Sequence, residues 1–149
     1  MSDDVESVER VIAAPPEKIF DLLADPARHH DIDGSGSVVK SKESSQRLAL
    51  GSKFAMSMKI GIPYSMESTV IEFDENRRIA WQSRPPGIGG KLAGGRIWRY
   101  ELEPVDGGTR VRESWDISQE RFKWMVRNAR NKTRTSMDTT LANIEKLVS

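Results

Sequence analysis

A chain of 149 residues with 37% hydrophobic and 30% charged side chains has the composition of one globular domain, long enough to bury a continuous core. Its 23 basic and 22 acidic side chains leave a formal charge of +1, which argues against a generally basic nucleic-acid-binding surface. With no cysteine and two adjacent histidines, disulfides, thiolate metal sites, a cysteine nucleophile and an all-histidine zinc site are excluded.

VESVERVIAA, residues 5 to 14, predicts a first strand. The acidic, polar opening MSDDVESVER and the lack of any long apolar run point to a cytoplasmic protein with neither a secretory signal nor stable membrane insertion. Pro15 and Pro16 end that strand and suit the first turn of a helix, in which Ile19, Phe20, Leu22 and Leu23 form an apolar stripe. Asp25-Pro26 breaks the helix, ARHHDI predicts a short second one, and the glycines of DGSGSV precede a strand from about Val38 to Lys42.

In GSKFAMSMKI, Phe54, Met56, Met58 and Ile60 alternate with Lys53, Ala55, Ser57 and Lys59, the pattern of a half-buried strand. Gly61 and Pro63 predict a turn, YSMESTVIEFD a strand, ENRR a turn and IAWQSR another strand. GRIWRYELEPV and TRVRESWDI are two strands joined by VDGG, a hairpin signal. From Gln119 the period changes: Phe122, Val126, Ala129, Thr133, Met137, Thr140, Ile144 and Leu147 recur at helical spacing and predict one long closing helix. Its seven basic residues against three acids describe a solvated face rather than a nucleic-acid site.

Between the fifth and sixth strands lies RPPGIGGKLAGG. A phosphate cradle needs backbone N–H groups converging on the anion and a helix N-terminus behind them. Here the glycines run into the strand IWRYEL, and neither Ser nor Thr follows Lys91. The segment reads instead as a mobile lid over residues 85 to 95, with Ile88 and Leu92 as its apolar contacts.

The order is strand, two short helices, six strands in hairpin succession and a long helix. That is an α+β chain of about seven antiparallel strands closed by an amphipathic helix. The order, and the opening VERVIAAPPEKIFDLLADPARHHDID in particular, resembles the helix-grip fold of the START-like superfamily and, within it, the polyketide cyclase/dehydrase and lipid-transport group. The resemblance covers the whole chain as one domain and implies a ligand cavity between sheet and helix, with no shared catalytic motif and no cofactor. A bacterial group within it is similar in a His-x-x-x-Asp-Gly-Ser stretch, a place that His29 or His30 fills before Asp33-Gly34-Ser35.

Small residues on the helix face, Ala129 and Thr133, with Met125 nearby, place the expected cavity under the N-terminal half of the helix. If Met56 and Met58 face inward, the pleat carries Tyr64, Met66, Trp81, Trp98, Tyr100 and Trp115 to the same side. Met and Trp surfaces suit an apolar or aromatic ligand, and each is also an ordinary core residue.

Arg96 and Glu113 fall on the same buried parity, where a charge must be paired or open to a wet pocket. They read either as a structural ion pair across the hairpin or as site groups. In the second case Arg96 orients a ligand oxygen, and Glu113 acts as a general base once burial raises its pKa. His30 is an acid–base candidate at the pocket mouth, oriented by Asp31 or Asp33; its alternative is a polar turn. No metal site is expected. The expected partner is a small hydrophobic molecule, bound by a carrier or turned over by a cyclase or dehydratase. The other reading is a protein-interaction module with a filled core.

Overall fold

Alternation of apolar and polar residues at 53 to 60 sets the pleat on which the whole sheet of the computed structural model is built. Residues 4–35, 38–41, 47–60, 62–87 and 94–149 are described, those at 38–41, 60, 62 and 63 by backbone alone. The elements in chain order are β1 (Val5–Ile12), α1 (Pro16–Leu23), a 3-10 turn (Pro26–Arg28), α2 (His29–Ile32), β2 (Val38–Ser41) and β3 (Lys53–Ile60). There follow β4 (Ile62–Asp74), β5 (Arg78–Arg84), β6 (Arg96–Val105), β7 (Gly108–Asp116), α3 (Lys123–Val126), a second 3-10 turn (Arg127–Ala129) and α4 (Arg130–Val148).

The class is α+β, as expected. The sheet runs β1-β7-β6-β5-β4-β3-β2, every pair antiparallel, with six strands of seven or more residues and the four-residue β2 at one edge. Val105 pairs with Gly108 across Asp106-Gly107, the two-residue loop that VDGG predicts. A register shift between Val70 and Glu72 puts one extra residue into β4, so Val70 is buried while Ile71 is turned outward. Such a bulge bends the strand and helps the sheet curve around the helix.

Helix α4 buries Met137, Leu141, Ile144 and Val148, a stripe of three- and four-residue steps, against α1 and β1. The long helix expected from Gln119 is corrected here. The regular helix begins at Arg130, preceded by the short turns of α3. The cause is a lack of packing: α3 buries none of its residues, and Trp124 and Met125 are mostly exposed. A helical segment of that length has no stability of its own without a buried face. Leu147, expected on the buried face, lies at the edge of the stripe and is exposed.

The basic run of the C-terminal segment lies along acidic β1. Lys123 and Arg127 reach Asp4, Arg130 and Arg134 reach Glu6, and Arg10 reaches Glu145. The base of the glycine loop is fixed, since the Gly95 N–H donates to the Ser83 carbonyl at 2.9 Å and Gln82 Nε2 to the Gly95 carbonyl at 3.0 Å. Residues 88–93 of the expected lid, with Ile88 and Leu92, lie outside the described residues.

Candidate functional site

The inward faces of β3 to β7, α2 and the middle of α4 enclose a cavity of about 220 Å3. Period-two alternation delivers Met56 and Met58 from β3, Tyr64 and Met66 from β4, Trp81 from β5, and Arg96, Trp98 and Tyr100 from β6. Glu113 enters from β7, directly opposite Tyr100 in the register. These nine side chains were expected at the site, and the structure brings them to one cavity wall.

The remaining expectations are corrected by placement. Trp115 faces inward but is packed into the core at 1% exposure and does not line the cavity. Met125, Ala129 and Thr133 are also away from it: the helix contributes Ser136, Met137 and Thr140. The cavity therefore sits one to two turns further along the helix than small residues suggested. The break before Arg130 is the physical reason for Met125 and Ala129, because it takes residues 123 to 129 out of the phase of the buried stripe, while Thr133, inside α4, is half-buried one turn short of the wall.

His30 is exposed, with Nε2 3.1 Å from Asp31 Oδ1, and takes no part in the cavity wall. His29 does. It is buried, its ring stacked on Trp81 at 4.8 Å and edge-on to Phe54 at 5.3 Å. Its Nε2 lies 2.8 Å from the Leu23 carbonyl, which only accepts, so Nε2 carries the hydrogen and Nδ1 is a bare acceptor. Burial lowers its pKa to about 4, against which the Leu23 hydrogen bond and the charges of Asp25 and Asp33 act only in part. His29 is therefore a neutral aromatic wall at ordinary pH.

Phe54, Ser68 and Ser83 complete the floor, the two serine hydroxyls 2.8 Å apart. The pleat that selected Met56, Met66 and Trp81 also selects these three. What sequence reasoning lacked was a reason to include small polar side chains in an apolar wall; paired with each other, they satisfy themselves there.

Arg96 and Glu113 do not form an ion pair. Arg96 lies four residues before Tyr100 on β6, about 13 Å along a strand from the position facing Glu113. Its partner is Glu120, whose Oε2 accepts from the Arg96 backbone N–H at 2.9 Å and from Nε at 3.1 Å. Glu120 is buried and Arg96 about a third exposed, so this pair fixes a guanidinium at the cavity mouth.

Glu113 is 3% exposed. Its Oε2 accepts from the Tyr100 hydroxyl at 2.9 Å, while Oε1 has no hydrogen-bond partner among the described residues. Burial raises its pKa to about 8; the Tyr100 hydrogen bond opposes this, and the charges of Asp33 and Asp138 add to it. At neutral pH the carboxyl is therefore mostly protonated, which suits an acid better than the general base expected from sequence.

This geometry fixes a double-mutant result. Arg96→Met leaves the buried Glu120 carboxylate with the position-96 backbone N–H but no cation and costs about 2–3 kcal/mol, and Arg96→Met with Glu120→Gln couple by more than about 1 kcal/mol. Arg96→Met with Glu113→Gln add within about 0.5 kcal/mol. Urea melts of the singles and doubles measure both cycles, and coupling of Arg96 to Glu113 would contradict the placement.

Among the described residues, no three His, Asp or Glu side chains are grouped to hold a metal ion, and no helix is long and apolar enough to cross a membrane. Comparison with known proteins agrees with the architecture. Protein Ms6760 from Mycobacterium smegmatis superposes with a TM-score of 0.74 at 16% identity, covering 97% of this chain and 90% of that one. An AHSA1-like protein from Aeromonas hydrophila superposes with a TM-score of 0.68 at 17% identity, covering 97% and 91%. At such identities the likeness is one of fold alone.

In sequence, the uncharacterized protein Rv0088 of Mycobacterium tuberculosis is 37% identical over 107 residues, 70% of this chain but 44% of that protein, so the chain spans less than half the length of this relative. The pattern of the family described as polyketide cyclase / dehydrase and lipid transport matches residues 6–149, a START-like fold with nearly the whole chain included, and the protein belongs to that family.

Proposed function

We propose that the protein binds a small, flat, mostly apolar molecule, aromatic or polyketide-like, in the cavity between the sheet and α4. The observation that carries this reading is the cavity wall itself. His29, Phe54, Trp81 and Tyr100 form a continuous aromatic surface with centroid separations of 4.8 to 5.6 Å. Met56, Met58 and Met66 face it with adaptable thioethers. A dry cavity of about 150 Å3 holds one benzene ring, so 220 Å3 matches a molecule of about two fused rings.

Binding is favoured over turnover. The acidic carboxyl of Glu113 lies at the closed end of the cavity, Arg96 is committed to Glu120 at the mouth, and His30 is outside. Among the described residues the two titratable groups that meet in the wall are Tyr100 and Glu113, hydrogen-bonded to each other, and burial raises the pKa of both, so neither is an ionised base at neutral pH. The protein-interaction reading required a filled core, and a cavity of this size speaks against it.

Native mass spectrometry of freshly purified protein tests for a co-purifying small molecule, and titration with the uncharged two-ring fluorescent probe 6-propionyl-2-dimethylaminonaphthalene tests the location. Met58→Trp with Met66→Trp, two half-buried side chains of the wall, fills the cavity and weakens probe binding at least about tenfold, equivalent to about 1.4 kcal/mol. Ala129→Phe, exposed and outside the wall, leaves binding as it was. Unchanged binding by the folded double variant would show that the probe sits elsewhere.

A further inference from the structure

We propose that Glu113 keeps its proton in the folded protein and donates it from Oε1 to a carbonyl oxygen of the ligand, so that the cavity selects uncharged aromatic ketones over hydrocarbons of the same shape. This rests on the cavity reading above and deepens it to a ligand class.

Glu113 Oε1 is buried without a hydrogen-bond partner among the described residues. A carboxylate buried to 3% exposure, with one donor and no cation against it among the described residues, is among the most costly arrangements a protein interior can hold. The groups around Glu113 offer no relief. Tyr100 on β6 supplies one hydroxyl. Asp33, after α2, and Asp138, on α4, bring negative charge. β1 places Val8 opposite it, and the flanking Glu6 and Arg10 are engaged with Arg130, Arg134 and Glu145 of α4. Its inward neighbours on β7 are the apolar Val111 and Trp115, whose buried indole N–H makes no hydrogen bond to it. On the cavity wall, His29 is neutral and Arg96 is held by Glu120.

The proton therefore stays, in agreement with a pKa raised to about 8. Because Oε2 is already accepting from Tyr100, the proton sits on Oε1, which becomes a hydrogen-bond donor at the closed end of an aromatic cavity. A donor there is satisfied by a ligand acceptor. A ketone provides one without bringing charge into an apolar wall, whereas a carboxylate ligand would meet Asp33 and Asp138 as well.

The test compares 1-tetralone with tetralin, the same two fused rings with and without the carbonyl, each measured by quenching of tryptophan fluorescence. At about pH 6 the ketone binds the wild-type protein roughly tenfold or more tightly than the hydrocarbon, the value of one buried hydrogen bond. That ratio collapses toward one as the pH passes about 9, because the ionised carboxyl no longer donates. Glu113→Gln retains a donor and keeps the ratio across the same pH range. Glu113→Leu abolishes the ratio at every pH. Val11→Ser, on the outward face of β1, behaves as wild type.

Equal affinity for the two rings at about pH 6, a preference that survives in Glu113→Leu, or one that falls with pH in Glu113→Gln overturns this inference and leaves the cavity reading standing. If neither ring binds, both fall together. Should Glu113→Leu fail to fold, the pH profiles of the wild type and Glu113→Gln decide the matter alone.

Discussion

Gly34→Ala destabilises the protein by about 2–4 kcal/mol and disturbs the cavity mouth, although position 34 lies on a loop with a hydrogen atom for a side chain. The loop after α2 is pressed onto the backbone of α4. A Cβ at position 34 would lie 2.1 Å from the Ser136 carbonyl oxygen and 2.6 Å from the Thr140 nitrogen. Neither atom can yield without moving the helix. The same contact carries a hydrogen bond from the Gly34 N–H to Thr140 Oγ1 at 2.8 Å, which is lost when the loop withdraws.

Asp33, Ser35, Ser136 and Thr140, the neighbours on both sides of this contact, all line the cavity, so the displacement reaches the ligand site. Urea unfolding gives the loss of stability, and binding of 6-propionyl-2-dimethylaminonaphthalene gives the change at the mouth. Ser35→Ala removes an exposed hydroxyl that donates to the Asp33 carboxylate and changes stability by less than about 0.5 kcal/mol. A similarly small loss for Gly34→Ala would mean that loop and helix do not touch.

Position 34 also shows where sequence reasoning stops. DGSGSV predicted a glycine-marked break, and a break is there, but the approach of two backbones 106 residues apart leaves no local signal. Strands were legible because their side-chain period of two has one buried phase, and fixing that phase at Met56 and Met58 fixed it across the sheet as far as Glu113. The bulge in β4 is a register event between two strands, and no residue type at Ile71 announces it. The helix was legible where its stripe is packed and misleading where it is not. Phe122 and Val126 continue the apolar period toward the N-terminus, yet among the described residues Val126 is only partly covered by the core and Phe122 is exposed.

Charge was the hardest property to assign. Arg96 and Glu113 share a parity, and parity alone made them candidates for each other; the partner of Arg96 came from the segment after β7, which no pairing rule covers. The choice between His29 and His30 turned on the phase of a four-residue helix, too short to declare one. Once α2 packs against the sheet, His29 is directed at Trp81 and His30 at solvent, and the chemistry of the two rings separates completely.

Stability falls by about 2 kcal/mol between about pH 6.5 and 8 in the wild-type protein, and Glu113→Gln removes that fall. Burial, with the charges of Asp33 and Asp138 behind it, raises the Glu113 pKa from 4.5 to about 8. The folded chain therefore holds a proton that the unfolded chain has lost. The contribution of that proton is complete below pH 4.5 and disappears as the pH rises through 8. His29 has the opposite sign. Burial lowers its pKa from 6.5 to about 4, so the unfolded chain takes up a proton first, and its contribution is complete above 6.5 and lost as the pH falls through 4. Between about pH 4.5 and 6.5 the two slopes cancel, and above 6.5 Glu113 acts without opposition from His29. The Asp4 and Glu72 carboxyls, pulled down chiefly by hydrogen bonds from Arg127 and Arg99, contribute on the acid side of that window. Wild-type stability therefore shows a plateau followed by an alkaline decline. With Glu113→Gln the His29 slope is exposed, so stability climbs from about pH 4.5 to 6.5 and then stays level. Urea midpoints at half-unit steps of pH give both curves; superimposable curves above pH 6.5 would mean that the Glu113 carboxyl ionises as readily in the folded chain as in the unfolded one, and the proton assigned to Oε1 would not be there to give.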